Sequence, residues 1–171
     1  CSIHQIHKFA KWGNREPVGL RFNPGMGSGG TNRTNVGGPA SSFGIWKGDL
    51  EEAKSLCKNY GLEVERIHTH IGSGSDPEVW KKVANMSLDL VKAFPSVKTL
   101  NLGGGYKVAR METEVATDLN EIGQPVKQLF EQFAEETGRQ LKLEIEPGTF
   151  LLAHSCSLVT SIQDITSTGQ D

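Results

Sequence analysis

Val64-Glu65-Arg66-Ile67-His68-Thr69-His70-Ile71-Gly72-Ser73-Gly74, with Asp76-Pro77 just beyond, decides how the chain is organised. Val64 to His70 reads as a strand, the Gly-Ser-Gly run as a turn, and Asp76-Pro77 as a helix cap followed by proline at the first helical position. The helix that follows carries Trp80, Val83, Ala84, Ser87, Leu88, Val91 and Phe94 on one face, and Pro95 marks its end.

The same order recurs on both sides. Val18 to Phe22 alternates at period two and stops at Asn23-Pro24-Gly25. A helix is expected from Asp49, with Glu52 completing a capping box and Gly61 as its stop. Thr99 to Leu102 reads as a strand closed by Gly103-Gly104-Gly105, followed by an irregular segment and a helix from Pro125 to about Thr137, with Gly138 after it. Leu141, Leu143 and Ile145 alternate before Glu146-Pro147-Gly148, and Ser157 to Ile165 is β-prone. Ser2 to Lys11 reads as the tail of a longer helix.

Strands alternating with amphipathic helices predict a parallel α/β fold, and right-handed crossovers put every strand's C-terminal end on one face. Asn23, His68 with His70, Gly103 to Gly105, and Glu146 all stand at such ends. That is how a (β/α)8 barrel builds an active site; a doubly wound sheet would gather them in one crevice instead. A full barrel takes about 250 residues, against 171 here. The expectation is therefore a partial (β/α)8 barrel, truncated at both ends. Residues 1–155 would belong to the barrel, and 156–171 would start a return strand toward a C-terminal β domain outside the chain. A partial barrel exposes two sheet edges, which predicts self-association.

Composition narrows the function. A net charge of -2 with 22% charged residues gives no footprint for nucleic acid or an anionic membrane surface. No apolar run approaches the roughly 20 residues a spanning helix needs. Cys1, Cys57 and Cys156 are odd in number and widely spaced, which fits reduced thiols in a cytoplasmic or plastid compartment. A loop rich in glycine and small polar residues runs from Met26 to Ser42, and loops of that length inside a domain are often functional.

His68 and His70 share one side of their strand. They could ligate a metal, stack on a planar cofactor, or be ordinary histidines of a polar barrel interior. His4, His7 and His154 stand elsewhere and Glu146 alone is a thin third ligand, so metal ranks below stacking and none is expected. For His68 the interior reading ranks above metal. Gly103, Gly104 and Gly105 remove side chains after a strand, where backbone N–H groups can approach a phosphate; tight turns use the same residues. Glu146, with Lys142 and Glu144 on its side of the strand, fits an interior ion pair, half of a glycosidase carboxylate pair, or a partner that keeps a ring nitrogen protonated.

Taken in order, Arg21-Phe22-Asn23-Pro24-Gly25, Ser42-Phe43-Gly44, His68 to Gly74, Leu102 to Gly105 and Glu146-Pro147-Gly148 resemble the diaminopimelate decarboxylases, in the alanine-racemase-like (fold type III) class of pyridoxal phosphate enzymes. The resemblance covers nearly the whole chain. It implies a barrel joined to a β-rich domain, a homodimer, pyridoxal 5'-phosphate as cofactor, and decarboxylation of meso-2,6-diaminopimelate to L-lysine and CO2. It also implies that His70, the candidate catalytic residue, stacks on the pyridine ring. Ser73 would bond the cofactor, Gly103, Gly104 and Gly105 would cradle its phosphate, and Glu146 would pair with the ring nitrogen.

The chain departs from the family pattern in three ways. The cofactor lysine would lie upstream of Cys1, so this segment alone is expected to be inactive. Thr149 stands where arginine is usual, which makes it the candidate substrate position and brings in the Gly27 to Gly38 loop as the other. Ser42 replaces a lysine used between subunits. Decarboxylation of ornithine, arginine or carboxynorspermidine is the same-fold alternative. A metal-dependent barrel hydrolase using His68 and His70, or a non-catalytic cofactor-binding homologue, would be a different class.

Overall fold

A computed structural model describes residues 1–13, 16–27, 37–74, 76–167 and 169. Most of the Gly27 to Gly38 loop, including Arg33, lies outside the described residues. Five parallel strands form one sheet in the order β2-β1-β3-β4-β5: β1 (Val18–Asn23), β2 (Ile45–Trp46), β3 (Val64–His68), β4 (Thr99–Asn101) and β5 (Lys142–Glu144). Helices α2 (Leu50–Tyr60), α3 (Pro77–Lys92) and α4 (Leu119–Thr137) connect β2 through β5 in turn, while α1 (Ile3–Lys11) precedes β1 and α5 (Gly148–Leu152) follows β5.

The strand order alone would also suit a doubly wound sheet. The two faces decide between the folds. Leu20, Phe22, Ile67, Leu100 and Leu102 are buried in one core with Trp80, Val83, Val91, Ile122, Val126 and Phe133 of α3 and α4. The opposite face carries Arg21, His68, Asn101 and Glu144 as register neighbours across β1, β3, β4 and β5. One row lower stand Gly19, Arg66, Thr99 and Lys142. Strands sandwiched between two helix layers are apolar on both faces. A sheet with helices outside and a charged inner face is the wall of a barrel. Arg66 and Lys142 hold Glu144 at 3.2 and 3.3 Å on that face.

Some boundaries differ from the sequence reading. α1 starts at Ile3, where the Ser2 side chain caps it, accepting from Gln5 N–H. The capping box at Asp49 does not form, because a 3-10 turn over Lys47–Asp49 leaves Asp49 at φ -93°, ψ 15°, outside the extended region an N-cap needs. α4 begins at Leu119, not Pro125. Asp118 accepts from Asn120 and Glu121 N–H, and the apolar stripe Ile122, Val126, Phe133 carries the helix through the proline. Strand β2 was not anticipated; it pairs Ile45 with Phe22 and Trp46 with Asn23. Ser157 to Ile165 forms no strand: Leu158, Val159, Ile162 and Ile165 are exposed, and no ladder partner stands beside them among the described residues.

Candidate functional site

The C-terminal ends of β3, β4 and β5 meet on the polar side of the sheet. Their backbones interlock: Gly74 N–H donates to Gly105 O at 3.0 Å, and Glu146 N–H to Gly103 O at 2.9 Å. The glycines answer a packing demand of the protein itself. A Cβ on Gly103 would stand 2.7 Å from the His70 ring, one on Gly104 2.2 Å from Glu146 O, and one on Gly105 1.8 Å from Gly72 O. No side chain fits between these strand ends. What the bare turn leaves for a ligand is its donors: Gly104 and Gly105 N–H have no acceptor among the described residues.

His70 is oriented by its own turn. Its Nδ1 accepts from Gly72 N–H at 2.9 Å, so a neutral ring carries its proton on Nε2. Burial, and then the Arg21 charge, lower its pKa below the ordinary histidine range, while Glu146 pulls the other way. His68, with its ring centroid 6.4 Å from that of His70, is pushed down to about 4, mainly by burial. At neutral pH it is uncharged, so its 3.9 Å approach to Glu146 Oε1 is not an ion pair. Among the described residues its buried Nε2 has no hydrogen-bond partner, and neither does Arg21 Nε. The Arg21 guanidinium lies 5.2 Å from the Phe43 ring centroid.

Glu146 has a half-exposed side chain whose Oε1 accepts from Asn101 Nδ2 at 2.9 Å. Ser73 is exposed at the rim, beside Gly72 and Gly74. Thr149 sits exposed in α5, away from the interlocked turns in hydrogen bonding. Asn23, which the sequence placed among the strand-end candidates, is a loop anchor. Its amide donates to Gly38 O and Ser41 O and accepts from Gly25 N–H, all within 3.1 Å. Among the described residues no three His, Cys, Asp or Glu side chains group as a metal site would require.

Sequence reading missed Asn101 and Arg21. A signal existed, since both are polar residues at inward positions of otherwise apolar strands, in register with His68.

The site thus offers a neutral aromatic ring, two free backbone N–H groups and a carboxylate with one oxygen uncommitted. Residues 2–153 match the family described as "Pyridoxal-dependent decarboxylase, pyridoxal binding domain". The chain belongs to this family. Relatives of this pyridoxal-binding domain include the diaminopimelate decarboxylase of Escherichia coli K12, 37% identical over 169 residues, which are 98% of this chain and 40% of that protein. The Streptomyces coelicolor diaminopimelate decarboxylase is 33% identical over 148 residues, 86% of this chain and 34% of that protein. A crystal structure of a diaminopimelate decarboxylase superposes with a TM-score of 0.80 at 34% identity, covering 90% of this chain and 37% of that one. An arginine decarboxylase from Paramecium bursaria Chlorella virus superposes with a TM-score of 0.65 at 21% identity, a likeness of fold. The chain spans about 40% of the length of the Escherichia coli relatives it matches. The chemistry of the site fits pyridoxal phosphate: a flat face, N–H donors without acceptors, and buried nitrogens left without partners.

Proposed function

We propose that the full-length protein decarboxylates meso-2,6-diaminopimelate to L-lysine and CO2 with pyridoxal 5'-phosphate as cofactor. The observation that carries this reading is the convergence of His70, the Gly104 and Gly105 N–H groups and the Glu146 carboxylate at three adjoining strand ends, in a chain 37% identical to a diaminopimelate decarboxylase. Bound, the cofactor supplies an electron sink for the pair left behind when CO2 departs.

The chain's own residues prepare that sink. His70, neutral and held by Gly72 N–H, presents an uncharged face to a cationic ring without the repulsion an imidazolium would add. Glu146 Oε2 is placed to hold the proton at the ring nitrogen, since opposite charges at close range favour the charged form of both. Gly104 and Gly105 N–H would hold the phosphate through backbone dipoles that need no side-chain rearrangement, and the Ser73 hydroxyl would bond the cofactor's polar groups. Arg21 and His68 crowd the same floor. Uncharged, His68 leaves the Glu146 charge unneutralised.

In this reading two copies of the protein associate. The exposed Leu151, Leu152, Leu158 and Val159 support burial against further protein. A cytoplasmic setting is supported by Cys1, Cys57 and Cys156 all being free thiols, and no helix among the described residues is long and apolar enough to cross a membrane. The test is lysine and CO2 release from meso-diaminopimelate by the full-length protein, with and without added pyridoxal phosphate. Cofactor-dependent lysine is the expected result. Turnover of ornithine or arginine in its place would move the substrate, and silence on all three would overturn the reading.

A further inference from the structure

We propose that Asn101 is a positioning residue for the Glu146 carboxylate, and that its single amide couples that carboxylate to the glycine turn after β4. The proposal rests on the reading of Glu146 as the ring-nitrogen partner. Asn101 is 6% exposed and stands on the inner face between His68 and Glu144. Its orientation is not free. Oδ1 accepts from Gly103 N–H at 2.7 Å, so Nδ2 is the end that meets Glu146 Oε1 at 2.9 Å. A flipped amide would set donor against donor at Gly103 and acceptor against acceptor at Glu146.

Two consequences follow from that geometry. Oε1 is committed, and His68 Nε2, 3.9 Å away, approaches the same oxygen. Oε2 therefore remains the acceptor for an incoming N–H donor. The Glu146 side chain is 50% exposed, so without Asn101 the carboxylate would be free to swing into solvent. One buried amide thus ties the turn that offers the phosphate donors to the carboxylate that meets the ring nitrogen.

The test is a double-mutant cycle in the full-length protein. Its readouts are the dissociation constant for pyridoxal 5'-phosphate, from an absorbance titration, and the unfolding midpoint of the cofactor-free protein. Asn101→Leu is expected to weaken cofactor binding about tenfold or more, the size of a hydrogen bond to a charged group. In a Glu146→Ala background the same change is expected to cost about threefold or less, because the carboxylate it positions is gone. Equal losses in both backgrounds would overturn the proposal, leaving Asn101 as a brace for the Gly103 turn only. Unchanged affinity in Asn101→Leu would overturn it as well. Unchanged affinity in Glu146→Ala would instead sink the ring-nitrogen reading, a separate failure visible in that variant alone. Asn101→Ala, which adds no apolar bulk beside Glu146, runs through the same cycle and is held to the same outcomes if the leucine variant does not fold.

Discussion

Gly105 is the position where one added carbon should do most damage. Its φ is +99°, and a Cβ there would lie 1.8 Å from Gly72 O and 2.8 Å from Gly72 C. Reaching the 3.0 Å that real Cβ atoms respect requires the backbone to part by more than an ångström. That movement breaks the Gly74 N–H to Gly105 O bond, which joins the two turns of the site. An alanine at positive φ costs about 1–2 kcal/mol. Stranding a partly buried peptide pair adds about 1–3 kcal/mol. Gly105→Ala should therefore destabilise the protein by about 2–5 kcal/mol.

Gly138→Ala is the matched control. It too has positive φ, +69°, but a Cβ there meets nothing within 4 Å, so only the conformational cost of about 1–2 kcal/mol applies. Urea unfolding of both variants in the full-length protein, with a pyridoxal phosphate titration beside it, separates the two costs. Gly105→Ala should lose more stability and about tenfold or more in cofactor affinity, while Gly138→Ala keeps the affinity. Equal destabilisation, or wild-type affinity in Gly105→Ala, would refute the interlocked-turn account.

Three other perturbations test the frame around the site. Ser87→Ala removes the partner of the buried Thr69 hydroxyl, 2.8 Å away, and should cost about 1–3 kcal/mol; adding Thr69→Val should restore part of the loss, and a further drop would count against the pairing. Arg139 donates to Val91 O, Phe94 O and Val97 O, closing the end of α3, so Arg139→Met should lower the unfolding midpoint, by about 2 kcal/mol in stability; a neutral result would mean water caps these carbonyls as well. For His68, the folded protein takes up its proton near pH 4 and the unfolded chain near 6.5. The unfolded state therefore binds more protons between those values, and the stability present above pH 6.5 declines as pH falls. His68→Gln should flatten the fall in unfolding midpoint between about pH 6.5 and 5; parallel profiles would show that His68 is not buried neutral.

Much of the fold was legible because it is local. Period-two strands, the Asp76-Pro77 cap and the glycine stops at Gly61 and Gly138 are short-range steric and hydrogen-bonding preferences, and they appear where expected. The failures have tertiary causes. Pro125 looked like a helix start, yet Asp118 caps the helix earlier and packing of Ile122 and Val126 outweighs the missing N–H. Asp49 looked like a capping box until the 3-10 turn before it rotated its backbone. Ser157 to Ile165 has strand-forming side chains, but a strand requires a neighbouring ladder, which composition does not encode.

By itself, the sequence determined the alternation of strands and helices, the side of β3 shared by His68 and His70, and the glycine runs at the strand ends. Each depends on residues within a few positions of one another. The tertiary structure alone decided which face of the sheet is the barrel interior, because that depends on what the helices cover. It also decided why the three glycines are glycines: the collisions involve His70, Gly72 and Glu146, which belong to other strand ends. The pairing of Asn101 with Glu146 came to light only there, since one of its partners lies two residues along the chain and the other 45. Cross-strand register brings such groups together, and register is a property of the assembled sheet.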